Sequence, residues 1–423
     1  MHSQLSTDSK ATLQRIRDVA NLIKVMNSDK TVNITDFEVC LSIVDRLINF
    51  NDRNCTVVDP TCGKGSFLLA VIYRFVEHGC AVKYVVDNII HGYDISESQI
   101  LHCVKYIKLA TGIKPCNIHV RDTMKNKLTK LFTYEVGNYP FNDSSEEAGR
   151  STAKLKENTS DLDYAFYLSN SDLAQKRAVI MRAGCLAKSS KVRENIMSDQ
   201  YVHTILNVSD SFDISPDTMC VIRGTDPVIQ KRFVDKNNNE WFYQTDKNTK
   251  LSINFTKEVL PLIEKIFGMC EINNFGKHWL RSPVKRSDSR VNKKTGIPFV
   301  QITGAKDEDA TVEKYNGADG TFKSLDKWKV ITNVNAGHTS IGNIKIIPPG
   351  VATSNSIVYF PFDTEKEAID AKNFLESNFV KFITPFFKSS AGNSSEFFNN
   401  IPYFDFKDAD VISDLNNELN KYI

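Results

Sequence analysis

The sequence predicts an α/β protein: a doubly wound, mostly parallel sheet followed by a separate α+β region. Three observations lead there. Short β-branched runs that end in an acid alternate with amphipathic segments through the first half of the 423-residue chain. A glycine-containing turn follows the first of these runs, where a strand would feed a helix. After about Asp226 the pattern gives way to short β-like runs separated by Gly, Asn and Pro.

The elements follow in order. Residues 9 to 27 read as an amphipathic helix. Leu13, Ile16, Ala20 and Ile23 recur at spacings of three and four, and Val19 and Met26 widen the stripe. This helix, in a segment 1–30, is expected to pack on a domain spanning 31–229. A second helix is expected from Thr35, with Asp36 and Glu38 suited to its first turn. CTVVD reads as a strand ending at Asp59, PTCGKGS as a turn and FLLAVIYRFVEHG as a helix. VVDNIIHGYD ends at Asp94, SESQILHCVKYIKLATG is helical, and NIHVRD ends at Asp122. YEVGNYPF is a fourth strand, and the polar stretch Asn142 to Asp161 reads as a mobile loop beside the site. DYAFYLSNSDLAQ and VRENIMSD read as helices, and RAVIMRAG, HTILNVSD and DTMCVIRG as strands. The polar segment from Asp226 to Thr256 reads as a linker or excursion. A second domain, 230–423, carries IPFVQITG, WKVITN, IGNIKIIPPG and NSIVYFPF, then a single helix, KEAIDAKNFLESNFVKFITPFF.

Composition excludes more than it selects. Hydrophobic residues make up 41% and charged residues 25%, with a net charge of +2, so the protein as a whole does not announce a polyanion partner. The nine cysteines are scattered without a CxxC pair, which argues for reduced thiols and against a zinc site; no metal is expected. No basic and apolar leader opens the sequence, and no uncharged apolar run approaches ~18 residues. A cytoplasmic protein without a membrane span is the expectation.

Chemistry concentrates at the strand ends. Gly63 and Gly65 allow a tight turn and close approach of a ligand to the backbone. The helix that follows offers free N–H groups to a phosphate or carboxylate. The GxxxxGK[ST] pattern of a P-loop is absent. Asp94, at the end of the second strand, is placed to hold ribose hydroxyls, and Asp122 to accept from an adenine amino group.

The ordered set DPTCGKGSFL, GYDIS, HVRDT and GNYPF resembles the amino-group DNA methyltransferases, in the gamma order of motifs. Those enzymes share a GxG cofactor turn and an (Asp/Asn/Ser)-Pro-Pro-(Tyr/Phe/Trp) tetrapeptide. The resemblance covers about residues 30 to 225 and implies a Rossmann-like methyltransferase fold with a C-terminal target-recognition domain. It implies S-adenosylmethionine as cofactor, held by Thr35, Asp59, Thr61, Gly63, Gly65, Phe67, Asp94, Ile95, Asp122, Thr123, Asn138 and Phe166. Catalysis falls to Asn138, Tyr139, Pro140 and Phe141. Phe141 and Phe212 are the aromatic walls for an extruded adenine of duplex DNA. Tyr139 departs from the family's usual proline: it keeps the carbonyl that accepts an amino hydrogen, but loosens φ and adds an N–H. The resemblance further implies a bacterial, phage or viral setting, a monomer, and a restriction endonuclease as a candidate partner. Methylation of an RNA or protein amino group, and a degenerate DNA-binding subunit, are the alternative readings.

The segment from Lys277 to Lys294 holds seven Lys/Arg and one acid, interleaved with Trp279 and Pro283. Lys277, Arg281, Lys285, Arg286, Arg290, Lys293 and Lys294 are the candidate phosphate contacts. The polar loops Asn333 to Thr339 and Lys388 to Ser395 are candidates for reaching base edges or phosphates.

Overall fold

A computed structural model describes residues 6–25, 34–141, 161–187, 190–211, 217–285, 287–292, 296–301, 311–315, 322–337, 339–388, 392–404 and 417. The chain divides into two compact units, Met1–Asn254 and Phe255–Ile423.

In the first unit, α1 (Thr7–Val25) buries Leu13, Ile16, Val19, Ala20 and Ile23 in the same core as α2 (Phe37–Leu47) and α3 (Ser66–Glu77). The second helix begins two residues after Thr35, because the Asp36 side chain caps it by accepting the Glu38 N–H. Such a cap contributes about 1 kcal/mol. Strands β1 (Val57–Asp59), β2 (Ile90–Asp94) and β3 (Ile118–Val120) lie where the acid-ended runs are, and β4 (Phe132–Asn138) where YEVGNYPF begins. The third strand stops at Val120, two residues short of Asp122. VVDNI forms a π-helical turn, Val85–Ile89, rather than the start of β2. Its β-branched composition mimics a strand, but burial of Val85, Val86 and Ile89 decides the conformation. The helix α4 (Glu97–Thr111) follows β2, and α5 (Leu162–Ser169), β5 (Ala174–Arg182) and α6 (Lys191–Ser198) follow β4. The helix stops at Ser169: Ser171, Asp172 and Leu173 turn the chain, and Ala174 and Gln175 begin β5.

β6 (Val202–Asn207) and β7 (Thr218–Arg223) continue the sheet, and so do β8 (Lys231–Val234) and β9 (Glu240–Tyr243). Among the described residues the sheet has nine strands in the order β3-β2-β1-β4-β5-β7-β6-β8-β9. β1, β2, β3, β4 and β5 are parallel, and β7 is antiparallel to both neighbours. The segment read as a linker or excursion from Asp226 thus contains an edge hairpin, β8 with β9. Its apolar content is small, but Phe233 stacks on Trp241 at 4.2 Å, and Asn238 turns the chain at φ 62°. The unit boundary accordingly falls at Asn254, past the expected position near 230.

Strand order reverses between β1 and β4. Chains leaving those two strands diverge to opposite sides, which opens a crevice at their carboxyl ends. Asp59 and Asn138 end those strands.

The second unit contains α7 (Leu260–Ile272) and strands β10 (Leu280–Arg281), β11 (Val291–Asn292), β12 (Ile297–Gln301), β13 (Thr311–Tyr315), β14 (Trp328–Asn333), β15 (Lys345–Ile347), β16 (Ala352–Thr353) and β17 (Ile357–Phe362). Among the described residues these form two sheets, β10-β17-β14-β15 and β11-β13-β12-β16. Val300, Ile331, Ile347, Ile357 and Tyr359 form one apolar cluster drawn from both. The expected single terminal helix is two, α8 (Glu365–Leu375) and α9 (Asn378–Phe387), because Ser377 caps a new start. A short α10 (Ser395–Phe398) follows.

Candidate active site

The crevice is built from the ends of β1, β2 and β4. Asp59 is buried, and its Oδ1 accepts the Thr61 N–H at 3.0 Å. Burial holds its carboxyl well above the usual range; the nearby Asp94 and Glu135 add to this, and the Thr61 N–H opposes it. Asp59 thus braces the turn from behind, through its bond to the Thr61 N–H. Gly63 and Gly65 both have positive φ, 50° and 94°. A Cβ on Gly65 would sit 2.7 Å from Cys103 Sγ, so glycine lets the turn lie against α4. A Cβ on Gly63 would meet nothing within 4 Å: that side of the turn faces open space.

Asp94 ties the crevice together. Its Oδ2 accepts the Gly63 N–H at 2.9 Å and its Oδ1 the Ser96 N–H at 2.8 Å. Burial raises its carboxyl, against those N–H groups. Each oxygen retains a further lone pair for a hydroxyl. The adjacent Ile95 is 67% exposed, an apolar side chain left at the crevice mouth. Asp122 is engaged locally: its Oδ1 accepts from Met124 and Lys125 N–H, and Lys125 Nζ lies 3.1 Å from Oδ2. Thr123 is buried and donates to the Pro60 carbonyl at 3.2 Å. Phe67 faces the core inside α3.

The tetrapeptide leaves β4 beside this turn. Thr61 Oγ1 donates to the Asn138 carbonyl at 3.2 Å. Asn138 Nδ2 donates to Thr35 Oγ1 at 3.2 Å, which orients the amide. Asn138 Oδ1 is then left buried with no hydrogen-bond partner. A buried acceptor without a partner costs about 1–3 kcal/mol, and such orphans concentrate where a ligand completes the site. A Cβ on Gly137 would come within 3.1 Å of Asp59 Oδ1, so glycine lets β4 lie close against the end of β1.

The Tyr139 N–H donates to the Ile180 carbonyl at 3.1 Å, so the donor that a proline would lack is used by the sheet. Its ring turns inward, against Phe166 at 5.4 Å. Phe166 is consequently packed on the tetrapeptide, on α5. Pro140 is exposed and Phe141 half-buried, with the Arg182 guanidinium 6.0 Å from the Phe141 ring centroid. Arg182 is pinned to Asp163 through Nη2 at 2.5 Å and Nε at 3.1 Å. Arg182, Asp163, Glu135 and Arg177 were not singled out from sequence. The available signal was a charged residue inside an apolar strand, as Arg177 is in KRAVIMR. Phe212, and residues 142–160 of the polar loop, lie outside the described residues.

In the second unit, Lys277, Arg281 and Lys285 are exposed. Arg281 Nε donates to the Asn355 carbonyl at 2.6 Å, and Lys277 Nζ to Ile272 at 3.1 Å. Arg290 makes a two-point pair with Asp288 at 2.9 and 2.7 Å, which offsets its charge locally. Arg286, Lys293 and Lys294 lie outside the described residues. The two polar loops meet: Asn335 and Gly392 form an isolated bridge, and Asn393 Nδ2 donates to the Asn333 carbonyl at 2.7 Å. Trp279 Nε1 donates to the Asn393 carbonyl at 3.0 Å, joining the basic segment to both. His338 and residues 389–391 are outside the described residues.

Among the described residues no cluster of His, Cys, Asp and Glu could hold a metal, and no helix is long and apolar enough to cross a membrane.

Several solved structures resemble the chain at low identity. The type I restriction-modification methyltransferase subunit from Streptococcus thermophilus is 15% identical, covering 53% of this chain and 50% of that one, with a TM-score of 0.36. The type I restriction enzyme EcoKI M protein is 16% identical, covering 58% and 56%, with a TM-score of 0.38. The ATP-dependent type ISP restriction-modification enzyme LlaBIII, bound to DNA, is 12% identical, covering 89% and 36%, with a TM-score of 0.47. The chain thus spans about half the length of the type I subunits it matches. No match is found among curated proteins. The family described as N-6 DNA Methylase matches residues 34–295, which is more than half of the chain and takes in the glycine turn and the Asn138 tetrapeptide. The chain belongs to the N-6 DNA Methylase family.

Proposed function

We propose that this protein transfers a methyl group from S-adenosylmethionine to the exocyclic amino nitrogen of an adenine in DNA. The observation that carries the reading is the orphaned Oδ1 of Asn138, buried at the end of β4 with its amide orientation set by Thr35.

The residues present fit the cofactor. The Gly63 side of the turn is open, Asp94 has spare lone pairs, and Ile95 offers an exposed apolar side chain at the same edge. Thr61, Gly63 and Gly65 would line the turn, Asp94 would hold hydroxyls, and Ile95 would cover an adenine ring. The bound cofactor supplies an electrophilic methyl group on sulfur.

An adenine amino nitrogen is a weak nucleophile because its lone pair is delocalised into the ring. Asn138 Oδ1 accepts one amino hydrogen and the Tyr139 carbonyl the other. Held by both, the nitrogen takes on tetrahedral character, and its lone pair is localised and aimed. With the cofactor bound, the aimed lone pair would receive its methyl group, the N–C bond replacing the S–C bond, and the amino proton would pass to solvent. Phe141 stacks on the base, which must leave the duplex to reach this crevice. The second unit acts as the target-recognition domain, with Lys277, Arg281 and Lys285 contacting phosphates. A cognate restriction endonuclease is the partner this role calls for.

The test is incorporation of labelled methyl into duplex DNA, followed by nucleoside analysis. Label in N6-methyladenine supports the reading. Label only in RNA or protein overturns it.

A further inference from the structure

The chemistry proposed above uses only the carbonyl of Tyr139, yet its side chain is held at three points. The residue is 1% exposed. Its hydroxyl donates to Oε1 of Glu135 and accepts from Nη2 of Arg177 at 2.7 Å. Its ring lies against Phe166. The anchors are fixed in turn. Glu135 and Arg177 are register partners on β4 and β5, and Arg177 Nε lies 3.3 Å from Glu135 Oε2. Arg177 Nη1 also donates to the Tyr167 carbonyl at 3.1 Å, and its guanidinium lies 4.7 Å from that ring's centroid.

A buried polar cluster of this kind is a poor device for stability alone, since an apolar cluster of the same volume is as stable or more so. What it supplies is direction: the Tyr139 hydroxyl both donates and accepts within the cluster, while Glu135 Oε2 and Arg177 Nε face each other as an ion contact without a hydrogen bond, so the phenol is the group the pair holds. We propose that Tyr139 is a positioning residue, whose phenol, clamped between Glu135 and Arg177, fixes the backbone carbonyl that receives the second amino hydrogen. The proposal rests on the amino-methylation reading above. A residue other than proline is free to rotate about φ. Pro140 restricts Tyr139 from one side. The clamp at the far end of the side chain and the N–H bond to Ile180 remove the remaining freedom.

The test compares Tyr139→Phe, Tyr139→Ala and Tyr139→Pro in the full-length protein. The probe is genomic DNA from a host without adenine methylation, with labelled S-adenosylmethionine under single-turnover conditions. Calorimetric cofactor affinity and melting temperature are measured alongside. Tyr139→Phe, which removes one oxygen, is expected to slow methyl transfer roughly tenfold, with cofactor affinity within about twofold, as misalignment rather than lost binding dictates. Tyr139→Ala is expected to fall roughly 100-fold. Tyr139→Pro loses every side-chain contact and the Ile180 bond but holds φ through its ring. It is expected to transfer roughly tenfold faster than Tyr139→Ala while melting no higher. A purely structural tyrosine gives the opposite order. Wild-type rates in Tyr139→Phe, or a proline variant no faster than alanine, overturn the proposal. If the wild type labels RNA or protein instead, the DNA reading fails, and the same two comparisons on that acceptor still decide the role of Tyr139.

Discussion

Asn138 carries the argument at the scale of a single residue, because its two amide atoms have different fates. The nitrogen is committed to Thr35 and the oxygen is not committed at all. Asn138→Ala is expected to lower the methyl-transfer rate by about 100-fold or more, the scale of losing one preorganised hydrogen bond to the reacting group. Cofactor affinity in that variant is expected to stay within about threefold, since the lost contact belongs to the transition state. Stopped-flow or quench assays paired with calorimetry check both, and a variant that still turns over removes Asn138 from its role. Thr35→Val leaves the amide free to rotate. A smaller loss, roughly tenfold in rate, is expected there, with little change in cofactor affinity.

The element that matters is the passage from β1 through the glycine turn into α3. Its conformation is set by close packing on α4, since any Cβ at Gly65 collides with Cys103 and the backbone there lies at φ 94°. Gly65→Ala combines an unfavourable φ with overpacking and is expected to destabilise the first unit by about 2 kcal/mol or more. Calorimetric melting would register several degrees. Adding Cys103→Ala removes the collision but not the strained φ, so partial recovery is expected. Full recovery, or none, would contradict the division between the two causes. The tetrapeptide is supported by β5 in a comparable way. Arg177 meets Tyr139 and Arg182 lies near Phe141, each through a buried or half-buried ion pair with a carboxylate.

At the scale of the whole molecule, two bulk properties follow. His91 is buried in β2, with Lys130 Nζ at 3.1 Å from its Nε2 and Phe132 beside it. Burial first, and the Lys130 charge second, push its imidazole down to about 4. In the unfolded chain the same ring takes up a proton near the ordinary value of 6.5. The folded state therefore binds fewer protons across that interval, and stability is lost as pH falls from 6.5 toward about 4. His91→Gln is expected to flatten that part of the melting-temperature profile, and an unchanged slope would show that His91 does not contribute. The second property is salt dependence. If Arg281 and Lys285 contact phosphates, Arg281→Ala with Lys285→Ala should lower the slope of log Kd against log salt by up to about 2. An unchanged slope would place the DNA elsewhere.

Much of the first unit was legible in the chain because its signals are local. Alternation of β-branched and amphipathic runs, a glycine turn after an acid, and Asn138-Tyr139-Pro140-Phe141 after a strand are all readable within short windows. Local signals also misled. The β-branched VVDNI is a π-helical turn, and the polar stretch after Asp226 hides a hairpin whose apolar pairing is visible only across strands. What the sequence by itself determined is the order of the elements, and hence which residues stand at strand ends. What only the tertiary structure decided is which side-chain atoms remain uncommitted there. Asp122 is occupied by its own turn, Asp59 is closed off behind the crevice, and Tyr139 points inward to Glu135 and Arg177. Asp122 is decided by partners two and three positions away, but Tyr139 and Asn138 depend on partners 38, 77 and 103 positions away, joined by the pairing of β4 with β1 and β5 and by the approach of Thr35. Periodicity and spacing carry no information over such distances, because hydrogen-bond partners at long range are chosen by packing.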